Sequence, residues 1–327
     1  MTSPPYWALR DYGVEGQIGL EPTIEEYISN LSGVFDEIRR VLKSNGSCWI
    51  VLGDTYASSG ARNAGFNERW HGKPFRSHKQ ARTDAERPER PKATLPKKSL
   101  CLVPFRFAIA MVDKGWILRN VIIWHKPNSL PSSILDRFTV DFEYLFFFTK
   151  SQRYWFNPQR EPHAEATKRR VRRFNENNEH FDPTRHKHYN PGGQNPYEVL
   201  THIAKSGLNP AGRNKRCVWR IATQAFPDAH FATYPEKLVK IPIMAGCPEL
   251  VCSKCGQACQ ESSPCHCAAP LKPGIVLDPF FGSGTTGVVA QKLNRQFIGI
   301  ELNPKYVEMA KKRLAQHLQH PRLSVQR

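Results

Sequence analysis

Residues 274–303, GIVLDPFFGSGTTGVVAQKLNRQFIGIELN, decide the fold. A short apolar run, Gly274–Leu277, leads into a turn holding Gly282 and Gly284. The pattern predicts a helix of about nine residues from Thr285 and a second strand over Phe297–Ile300. Strand, tight turn, helix and strand in that order make a βαβ unit, and such units build parallel sheets. The glycines let a ligand approach the backbone, and the helix N-terminus offers free N–H groups. Glu301 ends the second strand, 23 residues after Asp278. At that spacing an acidic side chain grips ribose hydroxyls in nucleotide-type sites. The turn lacks the lysine of a P-loop, which disfavours a triphosphate ligand.

Outward from this unit, other segments alternate in the same way. Thr23 with Glu26 reads as a capping box, and Ile24, Tyr27, Leu31, Phe35 and Ile38 recur at helical spacing until Asn45-Gly46. Residues 47–53, SCWIVLG, read as a buried strand. A helix is predicted from Leu102 to Lys114, closed by Gly115, with strands at Ile117–His125 and Phe142–Thr149. Tyr234–Ala245 has helical spacing with Pro235 in the first turn, and Pro242 is expected to kink or shorten it. Tyr306–Leu318 reads as a final helix. Residues 55–98 and 151–215 show no periodicity and are expected to be irregular. The fold class is therefore α/β, a doubly wound sheet of Rossmann type with basic loop inserts.

The chain has 327 residues and a net charge of +18. Residues 56–100 hold 11 Lys/Arg against 4 Asp/Glu, and residues 150–220 hold 15 against 6. Clustered cations of this kind suit a polyanion, and point to nucleic acid rather than mere solubility. No run approaches the length of a membrane span, and no secretory signal opens the chain.

The chain begins MTSPPYW, an unusual density of proline and aromatics. Alone, this could be a polyproline turn with packed rings. Taken with DPFFGSGTTG and GIELNPKY, however, TSPPYW resembles the catalytic motif of the amino-group DNA methyltransferases. Catalytic motif first and cofactor motif last is the permuted order of their beta group. The likeness covers 1–54, 100–150 and 217–315. It implies S-adenosylmethionine as cofactor, held by Asp278, Pro279, Phe280, Gly282, Ser283, Gly284, Thr285 and Glu301. It implies Ser3, Pro4, Pro5 and Tyr6 as catalytic residues, with Trp7 supporting a flipped base stacked on Tyr6. A serine in first position favours cytosine N4; adenine N6 is the alternative, RNA a lesser one. A reading of another class is an inactive DNA-binding protein that keeps the fold. The family places a strand immediately before the catalytic motif, whereas only Met1 and Thr2 precede Ser3 here. That sheet position is expected to be empty or otherwise filled. The resemblance also places Asp54 near the cleft.

On this reading residues 1–54 form the catalytic half of the core, 55–99 a basic loop insert, and 100–150 core strands and a helix. Residues 151–216 form a basic target-recognition region, 217–246 a core helix segment, 247–269 a Cys-rich insert, and 270–327 the cofactor half. Lys168, Arg169, Arg170, Arg172 and Arg173 make the densest basic run, followed by His180, His186, His188 and Tyr189. Phosphate contacts with double-stranded DNA are expected there. A cognate restriction endonuclease and a cytoplasmic setting in a bacterium, archaeon or phage follow from the resemblance.

Nine cysteines in a chain without a secretory signal suggest thiols or metal rather than disulfides. Cys252 and Cys255 form C-x2-C, and Cys265 and Cys267 form C-x-C. Four thiolates at this spacing can close a tetrahedral zinc site, with Cys247, Cys259 and His266 as nearby alternatives. Such a site is structural, because four protein ligands leave no position for water. Cys48, Cys101 and Cys217 read as core residues.

Overall fold

The computed structural model describes residues 1–57, 95–176, 208–224, 233–259 and 265–319. Most of the first basic insert, and His180, His186, His188 and Tyr189, lie outside them. The chain divides into a larger unit, residues 1–157 and 217–327, and a smaller one, residues 158–216.

The larger unit is a layered α/β structure. Its helices are α1 (Ile24–Val41), α2 (Val103–Asp113), α4 (Glu236–Gly246), α5 (Thr285–Lys292) and α6 (Pro304–Gln319). The strands β1 (Ser47–Leu52), β2 (Ile117–His125), β3 (Phe142–Thr149) and β6 (Val218–Arg220) form one sheet in the order β1-β3-β2-β6. β1 and β2 each pair antiparallel with β3, and β6 runs parallel to β2. β10 (Ile275–Asp278) and β11 (Gln296–Gly299) form the parallel pair that the βαβ reading requires, with α5 crossing between them.

Both faces of the main sheet are covered, which explains why its strands read as unbroken apolar runs. Alternate residues point to opposite faces. Ile50, Leu52, Phe146 and Phe148 pack with Tyr27, Leu31 and Phe35 of α1 and Phe107 and Met111 of α2. Trp49, Val51, Leu145 and Phe147 pack with Leu238, Val239 and Ile243 of α4 and Val289 of α5. The Trp49 and Phe147 rings stack with centroids 4.0 Å apart. Each such buried side chain stabilises the fold by about 1.5–3 kcal/mol.

Met1 and Thr2 lie between β1 and β10, at the sheet position the expected strand would take. Thr2 bridges Ile50 in parallel, its N–H donating to the Trp49 carbonyl at 3.0 Å. The Met1 amino group donates to the Leu277 carbonyl at 3.1 Å. The position is thus filled by these two residues, and β1 and β10 belong to separate sheets.

Three sequence expectations need correction. Pro242 does not shorten α4, which runs through it to Gly246; buried packing of Leu238, Val239 and Ile243 outweighs the lost hydrogen bond. Cys217 is exposed rather than core, because it lies just before the edge strand β6. The region 151–215 is not wholly irregular. In the smaller unit, β4 (Arg160–Glu161) pairs antiparallel with β5 (Arg213–Asn214), and α3 spans Glu165–Glu176. α3 is rich in Lys, Arg and Glu, good helix formers, and its apolar face is narrow, with Val171 buried.

The cysteine-rich insert is a small sheet, β8-β7-β9, built from β7 (Leu250–Cys252), β8 (Ala258–Cys259) and β9 (Leu271–Pro273). β9 runs through Gly274 directly into β10.

Candidate active site

A cleft of about 440 Å³ opens in the larger unit. Ser3, Pro4, Pro5 and Tyr6 form part of its wall, and Pro279, Phe280, Gly282, Ser283, Thr285 and Glu301 form another part. Two stretches almost 280 residues apart in sequence therefore face one space.

The proline pair is fixed by its surroundings. Pro4 is buried. The Pro5 carbonyl accepts a hydrogen bond from the Tyr27 hydroxyl at 2.7 Å. The Tyr6 hydroxyl donates to Glu143 Oε2 at 2.7 Å, and the other carboxylate oxygen of Glu143 pairs with the Lys126 ammonium. Burial raises the Tyr6 phenol well above its ordinary range; the neighbouring Glu143 adds to this, and a hydrogen bond with Ser3 opposes it. The Tyr6 ring lies against the backbone at Gly53, where a Cβ would come within 2.6 Å of Cε2. Trp7 is not at the cleft. It is a core side chain, 3% exposed, with Nε1 donating to the Glu21 carbonyl at 2.9 Å, so its sequence assignment to nucleic acid does not hold. Asp54 is not in the cleft wall either; its Oδ1 accepts the Val103 amide at 3.0 Å, at the start of α2.

The glycine turn is held from three sides. Gly284, at φ +82°, caps α5, and a Cβ there would stand 2.9 Å from the Cβ of Ala310. The Phe281 ring stacks on Phe297 with centroids 5.6 Å apart and fills the space beside Gly287 and Gly299. Arg313 of α6 donates to the Ser283 carbonyl at 2.8 Å, the Ser283 hydroxyl at 2.9 Å and the Thr285 hydroxyl at 3.0 Å. Glu301 sits in the wall with its carboxylate pinned by the Gly282 amide at 2.7 Å and the Asn303 amide at 2.8 Å.

Asp278 is fully buried and is not a wall residue. Its Oδ1 accepts from the Thr2 hydroxyl at 2.5 Å and the Phe280 amide at 3.1 Å. Its Oδ2 accepts from Thr286 at 2.5 Å and from Tyr234 at 3.0 Å. Burial raises its carboxyl above the ordinary value, opposed by the Met1 ammonium and these donors. Asp278 thus ties the start of the chain to the cofactor-side strand.

Sequence reading missed Lys126, Glu143, Tyr234, Thr286 and Arg313. Glu143 carried a signal, since it is the one charged residue of the apolar strand FEYLFFFT. Arg313 carried none among the many cations of its helix.

The sulfur atoms of Cys252, Cys255, Cys265 and Cys267 all lie within 4.8 Å of one another. The Cys255 and Cys265 sulfurs are 3.8 Å apart, too far for a disulfide and the separation that a tetrahedral ion with arms of about 2.3 Å imposes. The Cys255 amide donates to the Cys252 sulfur at 3.5 Å, and with Cys265 draws that thiol down to about 6. Cys247 and Cys259 stand outside the group. In the smaller unit α3 carries Lys168, Arg169, Arg170 and Arg172, and Lys168 pairs with Glu165 at 2.8 Å. Arg173 belongs to the same helix. No helix among the described residues is long and apolar enough to cross a membrane.

A family model described as DNA methylase, covering N6 and N4 enzymes, matches residues 1–312. The Type II methyltransferase M.Cfr9I of Citrobacter freundii is 36% identical over 96% of this chain and 80% of its own length. M.XycI of Xanthomonas campestris pv. cyanopsidis is 37% identical, with the same coverage. Among solved structures, the PvuII DNA methyltransferase (cytosine-N4-specific) superposes with a TM-score of 0.52 at 17% identity, over 98% of this chain and 83% of that one, a likeness of fold. The chain belongs to the N6/N4 DNA methylase family.

Proposed function

We propose that the protein transfers a methyl group from S-adenosylmethionine to the exocyclic N4 amine of cytosine in double-stranded DNA, at a specific site. The observation that carries this is the single cleft shared by Ser3-Pro4-Pro5-Tyr6 and the turn from Pro279 to Thr285. The exocyclic amine is a poor nucleophile because its lone pair is conjugated with the ring. Acceptors that take its N–H groups localise that pair as the methyl arrives. The Ser3 hydroxyl is one acceptor. Tyr27 already engages the Pro5 carbonyl, which leaves the Pro4 carbonyl as the second. Neither proline has an N–H to compete. The Tyr6 ring, braced by Gly53 and Glu143, is the stacking surface for a flipped base. The cofactor's sulfonium would supply an electrophilic methyl and leave as the neutral thioether S-adenosylhomocysteine, the surplus proton of the methylated amine passing to water, with no covalent enzyme intermediate. Pro279, Phe280, Gly282, Ser283 and Thr285 would line its site, Glu301 would accept from the ribose hydroxyls with the carboxylate lone pairs left by the Gly282 and Asn303 amides, and Asp278 and Gly284 hold the turn from behind. Positioning and electrostatics supply the acceleration. The serine at position 3 supports cytosine as the target.

The relatives' designation as Type II methyltransferases supports a place in restriction–modification, opposite a cognate endonuclease. The cations of α3 are proposed to contact DNA phosphates.

The deciding experiment incubates the protein with unmethylated genomic DNA and labelled S-adenosylmethionine, digests to nucleosides and identifies the product by mass. N4-methylcytosine is expected. N6-methyladenine would move the target to adenine, and label on a cytosine ring carbon would exclude the mechanism. Ser3→Ala and Tyr6→Ala should lose product while keeping cofactor binding; Glu301→Ala should lose cofactor binding.

The cofactor set is proposed to include one structural zinc at Cys252, Cys255, Cys265 and Cys267. An all-sulfur donor set at tetrahedral spacing suits that ion. The three short strands around it bury little, so the metal supplies the missing cohesion. Elemental analysis should give one zinc per chain, and Cys255→Ser should lose it and lower the melting temperature. Folded protein without zinc would remove the assignment.

A further inference from the structure

The cleft wall holds an ion pair away from the glycine turn, Lys126 with Glu143, and the family reading gives it no task. Lys126 follows the end of β2, and Glu143 lies on the facing strand β3. Both line the cleft with Ser3, Pro4 and Tyr6. Each side chain is only 19% exposed. The Lys126 ammonium lies 4.6 Å from the centre of the Trp124 ring, and Trp124 is itself buried and fixed through Nε1 to the Ile221 carbonyl at 2.8 Å. Glu143 divides its carboxylate between Lys126 and the Tyr6 hydroxyl. A largely desolvated pair is costly, and apolar replacements often serve stability as well. Its place beside the stacking ring points to a role in recognition.

Base chemistry indicates the role. With the reacting amine at Ser3 and Pro4, cytosine and adenine both present a ring-nitrogen acceptor next to that amine. One position further on they differ. Cytosine has the carbonyl O2, and adenine has an apolar C–H. An ammonium offers three donors, of which Glu143 takes one. We infer that Lys126 donates to the O2 edge of the flipped cytosine and is the residue that selects cytosine over adenine, with Glu143 as the positioning residue that fixes both Lys126 and Tyr6. Opposite adenine the charge would face a C–H group and lose its partner. A site built to hydrogen-bond a substrate group rejects the analogue lacking it far better than shape alone can.

This inference rests on the cytosine reading of the same cleft, and the test separates the two. The genomic-DNA experiment gives the modified base and, by mapping, the recognition sequence. Fluorescence anisotropy then measures full-length protein, with S-adenosylhomocysteine, on two duplexes of that sequence, one with cytosine and one with adenine at the target position. Each ratio of Kd values is compared with wild type, which cancels the effect of the mismatch. Lys126→Met should lower the adenine-to-cytosine Kd ratio by about tenfold or more. Lys126→Met/Glu143→Gln, which leaves no unpaired carboxylate behind, should do the same. Cofactor affinity should stay within about twofold of wild type in both. An unchanged ratio in the double variant, with binding weakened equally on the two duplexes, would overturn the inference and reduce the pair to a brace for Tyr6. N6-methyladenine from the wild-type protein would instead sink the cytosine reading beneath it.

Discussion

A Cβ on Gly53 would stand 2.6 Å from Cε2 of Tyr6, closer than real side chains approach, and 3.1 Å from Cδ2, a tight contact. The ring must therefore tilt in Gly53→Ala, and the base-stacking surface tilts with it. Misplacement of about 1 Å at a reacting centre costs on the order of 100-fold in rate. The expected outcome is a kcat loss of that order with cofactor Kd unchanged, read by steady-state methylation and calorimetry. Arg313 is the counterpart on the other wall. Its guanidinium, lowered in pKa by burial, makes three contacts with the glycine turn. In Arg313→Met the Ser283 carbonyl and two hydroxyls lose a charged donor, worth about 1.5–3 kcal/mol per hydrogen bond. Cofactor Kd should rise at least about tenfold, while kcat at saturating cofactor changes little. Equal losses in Kd and kcat would show that the arginine serves the fold as a whole.

At the scale of elements, legibility followed locality. The βαβ unit around Gly282 was readable because strand, turn and helix signals lie within thirty residues of one another. The cysteine cluster was readable from C-x2-C and C-x-C, since short spacing fixes what the chain can bring together. The antiparallel seating of β3 between β1 and β2 was not readable, because strand partners are chosen across long loops and two-faced burial erases the alternation that would show a face. The helix α3 was missed for a related reason. Val171 is buried, but apolar residues are few in EATKRRVRRFNE, so the run of cations masks a narrow apolar face, and residue propensity and pairs such as Glu165–Lys168 add to its helicity. That composition makes its own prediction. If α3 meets phosphates, replacing Arg169, Arg170 and Arg172 one at a time with Gln should weaken binding about equally on cognate and unrelated duplexes. Each change should reduce the slope of log Kd against log salt by about one. A loss confined to the cognate duplex would instead make that arginine a reader of bases.

Across the whole molecule, the catalytic stretch and the cofactor strand are joined at their roots through Thr2 and Asp278. Thr2 is 1% exposed, bridges β1 through its backbone, and donates its hydroxyl to Asp278 on β10 at 2.5 Å. A second link, Asn303 to the Tyr12 carbonyl at 3.3 Å, ties the loop after the proline pair to the segment after Glu301. The first link is pH-dependent, and its sign follows from burial. Asp278 has a raised pKa in the folded protein, above the ordinary value of 3.8. Between that ordinary value and its own, the native state holds a proton that the unfolded chain has already released, so stability falls as pH rises through the window. The Thr2 hydroxyl limits the fall by stabilising the carboxylate. Thr2→Val keeps the shape and removes the donor, which pushes the native pKa higher and extends the fall. Urea unfolding should show the Thr2→Val penalty growing between pH 4 and pH 8, to about 1–3 kcal/mol at the upper value. Cofactor affinity should weaken over the same range, because the strand that carries the glycine turn loses its tie to β1. A penalty equal at both pH values would assign Thr2 a packing role and leave Asp278 to its other donors, Thr286, Tyr234 and the Phe280 amide.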